Sequence, residues 1–141
     1  MRSRATLASC FVLALAAASG TARGEELSQK VDSWVLDTAS RGDTEFLVML
    51  REQGDLRGAR ALSSKVEKGA FVMDALRSTA DRTQRPLLDF LVERGAAYRP
   101  FWVANMVWVR GSLSLVEELA ARSDVFHIYA NPRAATVARR P

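Results

Sequence analysis

Tyr98-Arg99-Pro100-Phe101-Trp102-Val103-Ala104-Asn105-Met106-Val107-Trp108-Val109 decides the fold. Two apolar runs stand on either side of Ala104-Asn105. Asn tolerates the left-handed backbone of a tight turn, and so short a connection makes an antiparallel hairpin. The first run, Tyr98 to Val103, contains Pro100, which cannot donate to a ladder and points to an edge strand. The second, Met106 to Val109, is apolar throughout and reads as a central strand. Upstream, Glu45-Phe46-Leu47-Val48-Met49-Leu50 is apolar on both alternating sets and also reads as central. Downstream, Asp124 to Tyr129 forms a last strand ended by Asn131-Pro132. His127, among apolar neighbours there, places it at an edge.

Helical patterns fill the gaps. From about Ser63, Val66, Ala70, Met73, Leu76, Ala80 and Thr83 recur at spacings of three and four. Pro86 interrupts the stripe. Leu87, Leu88, Leu91 and Val92 resume it until Gly95, a good residue to end a helix. The expectation is a long helix kinked near Pro86, or two helices meeting there. Ser114-Leu115-Val116-Glu117 fits a capping box that opens a short helix running to about Arg122. The order strand, helix, strand, strand, helix, strand is the split, ferredoxin-like βαββαβ plan of the α+β class: a four-stranded antiparallel sheet with helices on one face. In that plan the first and third strands are central.

The flanks divide the chain further. Arg2 and Arg4, the uncharged apolar run Ala5 to Ala18, and Ser19-Gly20-Thr21-Ala22 have the layout of a secretory signal, giving 1–22 as a signal peptide cleaved after Ala22. The run is too short for a comfortable transmembrane helix. Cys10 lies too early in it for a lipidation site. Residues 23–43 form a polar lead-in arm around Trp34-Val35-Leu36, expected to pack over an exposed edge of the core. Residues 44–132 are the domain, and 133–141 an aperiodic, extended tail. The expected location is secreted or periplasmic, with no stable membrane insertion after cleavage.

Composition excludes several functions. The 141 residues include one Cys and one His, so neither a disulfide framework nor a multi-His metal cluster can form. The net charge is +4. Six arginines (2, 4, 23, 133, 139, 140) lie near the ends; setting them aside leaves 14 cations against 16 acids, a body of −2. That argues against a nucleic-acid partner, which needs a basic patch on the folded body. The aromatics Tyr98, Phe101, Trp102, Trp108 and Tyr129 are better explained by core and interface packing than by base stacking. No phosphate-binding glycine loop, metal-spaced cluster or catalytic constellation is present, and no cofactor is expected. Glu25-Glu26 and Glu117-Glu118 read as solvated charge. His127 reads as an ordinary edge-strand residue rather than a pH switch.

Several stretches of Thr44 to Asn131 carry a resemblance. These are Glu45 to Val48, the hairpin Tyr98 to Gly111, and Asp124-Val125-Phe126-His127-Ile128-Tyr129-Ala130-Asn131-Pro132, together with the lead-in Lys30-Val31-Asp32-Ser33-Trp34-Val35-Leu36. They resemble the subtilisin propeptide family, also called proteinase inhibitor family nine. The resemblance implies a non-catalytic inhibitor and folding assistant whose partner is the catalytic domain of a subtilisin-class serine protease. It implies that the sheet packs on two helices of that domain. It also implies that the segment after the last strand, Arg133, Ala134, Ala135, Thr136 and Val137, lies extended in the substrate cleft. The Asp, His and Ser motifs of a subtilase catalytic domain are absent. A detached propeptide, a free-standing inhibitor or the remnant of a truncated protease gene would each fit. The competing expectation is an exported ferredoxin-like module binding a peptide or small molecule between sheet and helices.

Overall fold

The computed structural model describes Leu27 and residues 29–132. Its elements are α1 (Ser33–Ala39), β1 (Thr44–Leu50), a short 3-10 helix (Arg57–Ala61), α2 (Lys65–Glu93), β2 (Ala97–Phe101), β3 (Met106–Gly111), α3 (Leu113–Ala120) and β4 (Val125–Ala130). The four strands form one antiparallel sheet in the order β2-β3-β1-β4. This is the ferredoxin-like arrangement expected, with β1 and β3 central. The Pro100 strand and the His127 strand lie at the two edges.

One face of the sheet makes the core. Phe46, Val48 and Leu50 from β1, Val107 and Val109 from β3, and Val125 and Ile128 from β4 all point the same way and are buried. Against them pack Val35 and Ala39 of α1, Leu87 and Leu91 of α2, and Leu115, Val116 and Leu119 of α3. β1 was expected to be covered on both faces, but Leu47 and Met49 on its other face are only half-buried. Among the described residues no helix lies over that side.

The lead-in is more than an arm. Val31 forms a parallel bridge with Ile128 on the outer edge of β4, and α1 then turns Val35 and Ala39 into the core. Lys30 Nζ donates to the Ala120 and Arg122 carbonyls at 3.0 and 3.2 Å, satisfying the free C-terminal end of α3. The expected covering of an edge is therefore present, with a helix added.

α2 is one helix, not two. Pro86 removes one backbone donor but sits on the exposed side, where water reaches the freed carbonyl. On the next turns Leu87 and Leu91 are fully buried, each contributing roughly 1.5–3 kcal/mol. That matches or exceeds the ~3 kcal/mol cost of an interior proline. The helix opens with a capping box: Ser64 Oγ accepts from the Glu67 N–H at 3.1 Å, and Glu67 Oε2 accepts from the Ser64 N–H at 3.0 Å. It closes with Gly95 at φ +63°, the Gly95 and Ala96 amides donating back to the carbonyls of Val92 and Leu91.

The first half of this stripe is not core. Val66 is 81 % exposed and Met73 41 %. Twenty-nine helical residues span about 43 Å, while the strands span only about 20 Å, so the helix outruns the sheet. α3 also begins earlier than expected. Its N-cap is Ser112, without a side-chain cap bond, and Ser114 falls inside the first turn. That start places Leu115 against Gly111, where a Cβ would stand 2.4 Å from Leu115 Cδ2.

Candidate functional site: the open face of the sheet

Strand register assigns the uncovered face. One row runs Arg99, Trp108, Leu47, Tyr129 from β2 to β4, and the next runs Phe101, Met106, Met49, His127. Ala97, Arg110 and Glu45 form a third. The first two rows make an apolar and aromatic surface, and two guanidiniums stand towards the β2 side. Arg99 lies over the Phe101 ring at 5.0 Å. A shallow groove of about 1110 Å³ follows the β2–β3 side of the face and continues to the hairpin turn and Asn131.

β4 adds one side chain to this face by an irregularity. Leu50 pairs with Val125 and Met49 with His127, so Phe126 is an extra residue, a β-bulge. Val125 and Ile128 both enter the core. The two residues between them therefore both leave it, and Phe126 is left 49 % exposed. The Arg51 guanidinium stands 5.9 Å from its ring centre.

The β4 border is fixed by the lead-in. The Asp32 carboxylate accepts from His127 Nε2 at 2.9 Å and from the Ala130 N–H at 2.8 Å. The Asp32 N–H donates to the Ile128 carbonyl. The Ala130 amide first, and the His127 ring after it, hold the Asp32 carboxyl below its ordinary 3.8. The His127 and Tyr129 rings meet at 4.4 Å. His127 is thus a partnered residue of the edge strand.

The hairpin border is held by Asn105, which adopts the left-handed backbone expected of the turn, φ +44°, and is buried. Its Nδ2 donates to the Glu52 carbonyl at 2.6 Å and to Thr83 Oγ1 at 2.9 Å. Its Oδ1 accepts from Gln84 Nε2 at 2.9 Å, and its own carbonyl accepts from the Leu50 N–H at 3.1 Å. Trp102 beside it is stacked by Arg77 at 4.9 Å.

Arg133, Ala134, Ala135, Thr136 and Val137 lie outside the described residues, as do residues 1–22. The last described residues are Asn131 and Pro132, and Asn131 lines the groove together with Glu45 and Arg110. Of the expected aromatics, Phe101, Trp108 and Tyr129 share the open face, whereas Tyr98 packs against the core. Phe126 was not foreseen, because strict alternation cannot register a bulge. Among the described residues no three His, Cys, Asp or Glu side chains are placed to hold a metal ion.

No family model, curated protein or solved structure matches the chain. No helix among the described residues is long and apolar enough to cross a membrane.

Proposed function

We propose that the chain is a non-catalytic, propeptide-like inhibitor and folding assistant of a subtilisin-class serine protease. One observation carries the reading. Among the described residues the sheet keeps its helices on one face and leaves the other open and apolar, and the chain leaves β4 through Asn131, which lines the groove on that face.

Dimensions explain why both parts are needed. Four strands at about 4.8 Å spacing and ~20 Å length offer on the order of 400 Å² of face. A stable complex buries about 800 Å² per partner. An extended segment laid along a cleft strand supplies additional area and main-chain hydrogen bonds. Arg133 to Val137 is that segment, and Ala134 and Ala135 are small enough to let the backbones approach. Binding only the folded form of the protease stabilises it by mass action, which is the thermodynamic content of assisted folding.

The groove on the open face gives the competing small-ligand reading less support, because it lies on the outside of the sheet rather than between sheet and helices. The test is steady-state inhibition of subtilisin and a panel of bacterial subtilisin-class proteases by the purified chain, with intact mass followed over time. Tight inhibition with slow trimming of the tail is expected. Degradation without inhibition across the panel overturns the reading.

A further inference from the structure

The open face is asymmetric. On its β4 side the bulge lifts Phe126 out of the sheet, half-exposed and backed by Arg51. Bulges re-aim side chains in this way, and aromatic rings, Phe among them, are enriched at the cores of protein interfaces. Across the sheet stand Arg110 on β3 and Arg99 on β2, two and three strand positions away, or about 10 and 14 Å. Both are exposed.

Their surroundings differ from those of four other arginines. Arg57, Arg82, Arg94 and Arg122 each meet a carboxylate: Asp55, Glu52, Glu118 and Asp124. Arg99 and Arg110 make no ion pair among the described residues. Arg99 is spread over Phe101 instead, which keeps its guanidinium on the face with its donors outward. Glu45, across the ladder from Arg110, leaves this border with an excess of positive charge.

We propose that the open face docks in one orientation only. Phe126 enters an apolar socket on the protease domain, and Arg99 with Arg110 meets carboxylates on that domain's surface at the opposite border. Leu47, Met49, Met106 and Trp108 between them close a dry centre. This rests on the protease-inhibitor reading above and specifies the partner's surface: apolar in the middle, pocketed at one side and acidic at the other. The two borders act on different rate constants. A desolvated aromatic anchor governs dissociation, and charges at the rim govern association and its salt dependence.

The experiment measures association and dissociation rates of the full chain on the protease it inhibits most tightly, from 20 to 500 mM NaCl. The variants are Phe126→Ala, Phe126→Leu, the double Arg99→Glu/Arg110→Glu, and Val66→Ala on the remote end of α2. Circular dichroism and melting curves establish that each is folded. Phe126→Ala is expected to speed dissociation about tenfold or more at an unchanged association rate, with Phe126→Leu between it and the parent. The charge reversal is expected to slow association about tenfold at low salt and to reverse or flatten its salt dependence. Val66→Ala is expected to match the parent. If the parent inhibits but either a folded Phe126 variant or the folded charge reversal behaves like it, the single-orientation proposal is overturned and the inhibitor reading stands. If the parent inhibits none of the proteases, both fall together.

Discussion

Gln84 and Asn105 meet side chain to side chain in the interior, the Gln84 amide donating to Asn105 Oδ1 at 2.9 Å while also reaching the Phe101 carbonyl at 3.2 Å. Through this pair α2, the β2–β3 turn and the exit of β1 share one set of hydrogen bonds. Every member is satisfied, which is the condition under which a buried polar knot stabilises rather than strains a core. Asn105→Leu removes the partners of Gln84, Thr83 and the Glu52 carbonyl and forces a branched side chain into φ +44°. A loss of about 3 kcal/mol is expected from the stranded groups and the backbone strain, read as a lower urea midpoint at unchanged slope.

Asp32 ties the lead-in to β4, and its contribution depends on pH. Its carboxyl titrates below 3.8 in the folded chain. The stabilisation is therefore complete above the unfolded value and is lost as pH falls through the lower folded value. Because the group is partly solvated, Asp32→Ala is expected to cost only about 1 kcal/mol at pH 5. The gap between parent and variant should narrow steadily towards pH 2 in urea titrations. A gap that does not change over that range would remove Asp32 from the acid limb.

Gly111 faces Leu115 so closely that a methyl group has no room. Gly111→Ala must push α3 off the sheet or twist Leu115 from its rotamer, and a loss of 1–3 kcal/mol is expected. Thermal melting checks it. Paired with Leu115→Ala, the damage should be less than the sum of the two single changes, since the clash disappears with the larger side chain.

Leu87→Ala opens a cavity under the sheet and is expected to cost about 2–5 kcal/mol. Val66→Ala, a comparable truncation on the same helix, should change stability by no more than about 0.5 kcal/mol. Denaturation of the two side by side measures how far along α2 the core extends.

Removal of residues 133–141 is expected to raise the inhibition constant at least a hundredfold, with circular dichroism and melting temperature unchanged, since the buried cluster that joins sheet and helices runs from Val31 to Ile128. Full inhibition by the shortened chain would eliminate the cleft-binding role of Arg133 to Val137.

Strand order was legible because backbone chemistry marks it. Pro100 cannot serve a two-sided ladder, and Phe46, Val48, Val107 and Val109 have the apolar continuity of central strands. The turn was legible in Asn105 for the same kind of reason. Of the two helix starts, the one near Ser63 was legible and the one at Ser114 was not. Ser64-Lys65-Val66-Glu67 and Ser114-Leu115-Val116-Glu117 both spell a capping box, and only the first is one. What decides between them is where the sheet requires the following side chains, and local spelling does not contain that. The same limit hid α1: seven residues with only Val35 and Ala39 inward give too short a stripe for a period to emerge. On the open face, the apolar run Phe46 to Leu50 by itself suggested cover on both sides, whereas the βαββαβ order already put the helices on one face. The bulge at Phe126 was not readable, because it exists only as a mismatch between two strands far apart in sequence.

The bridge from Val31 to Ile128 has a consequence for how the chain is made. β1, the strand at the middle of the sheet, is synthesised first among the four and finds its two neighbours only when β3 and finally β4 have appeared. Two of the three strand pairings are therefore distant along the chain, a topology that folds slowly. A nascent or shortened polypeptide that stops before Val125 holds an apolar strand with one bare side, the geometry that recruits other chains into aggregates. β4, arriving last, closes that side and is itself closed by the residues around Val31.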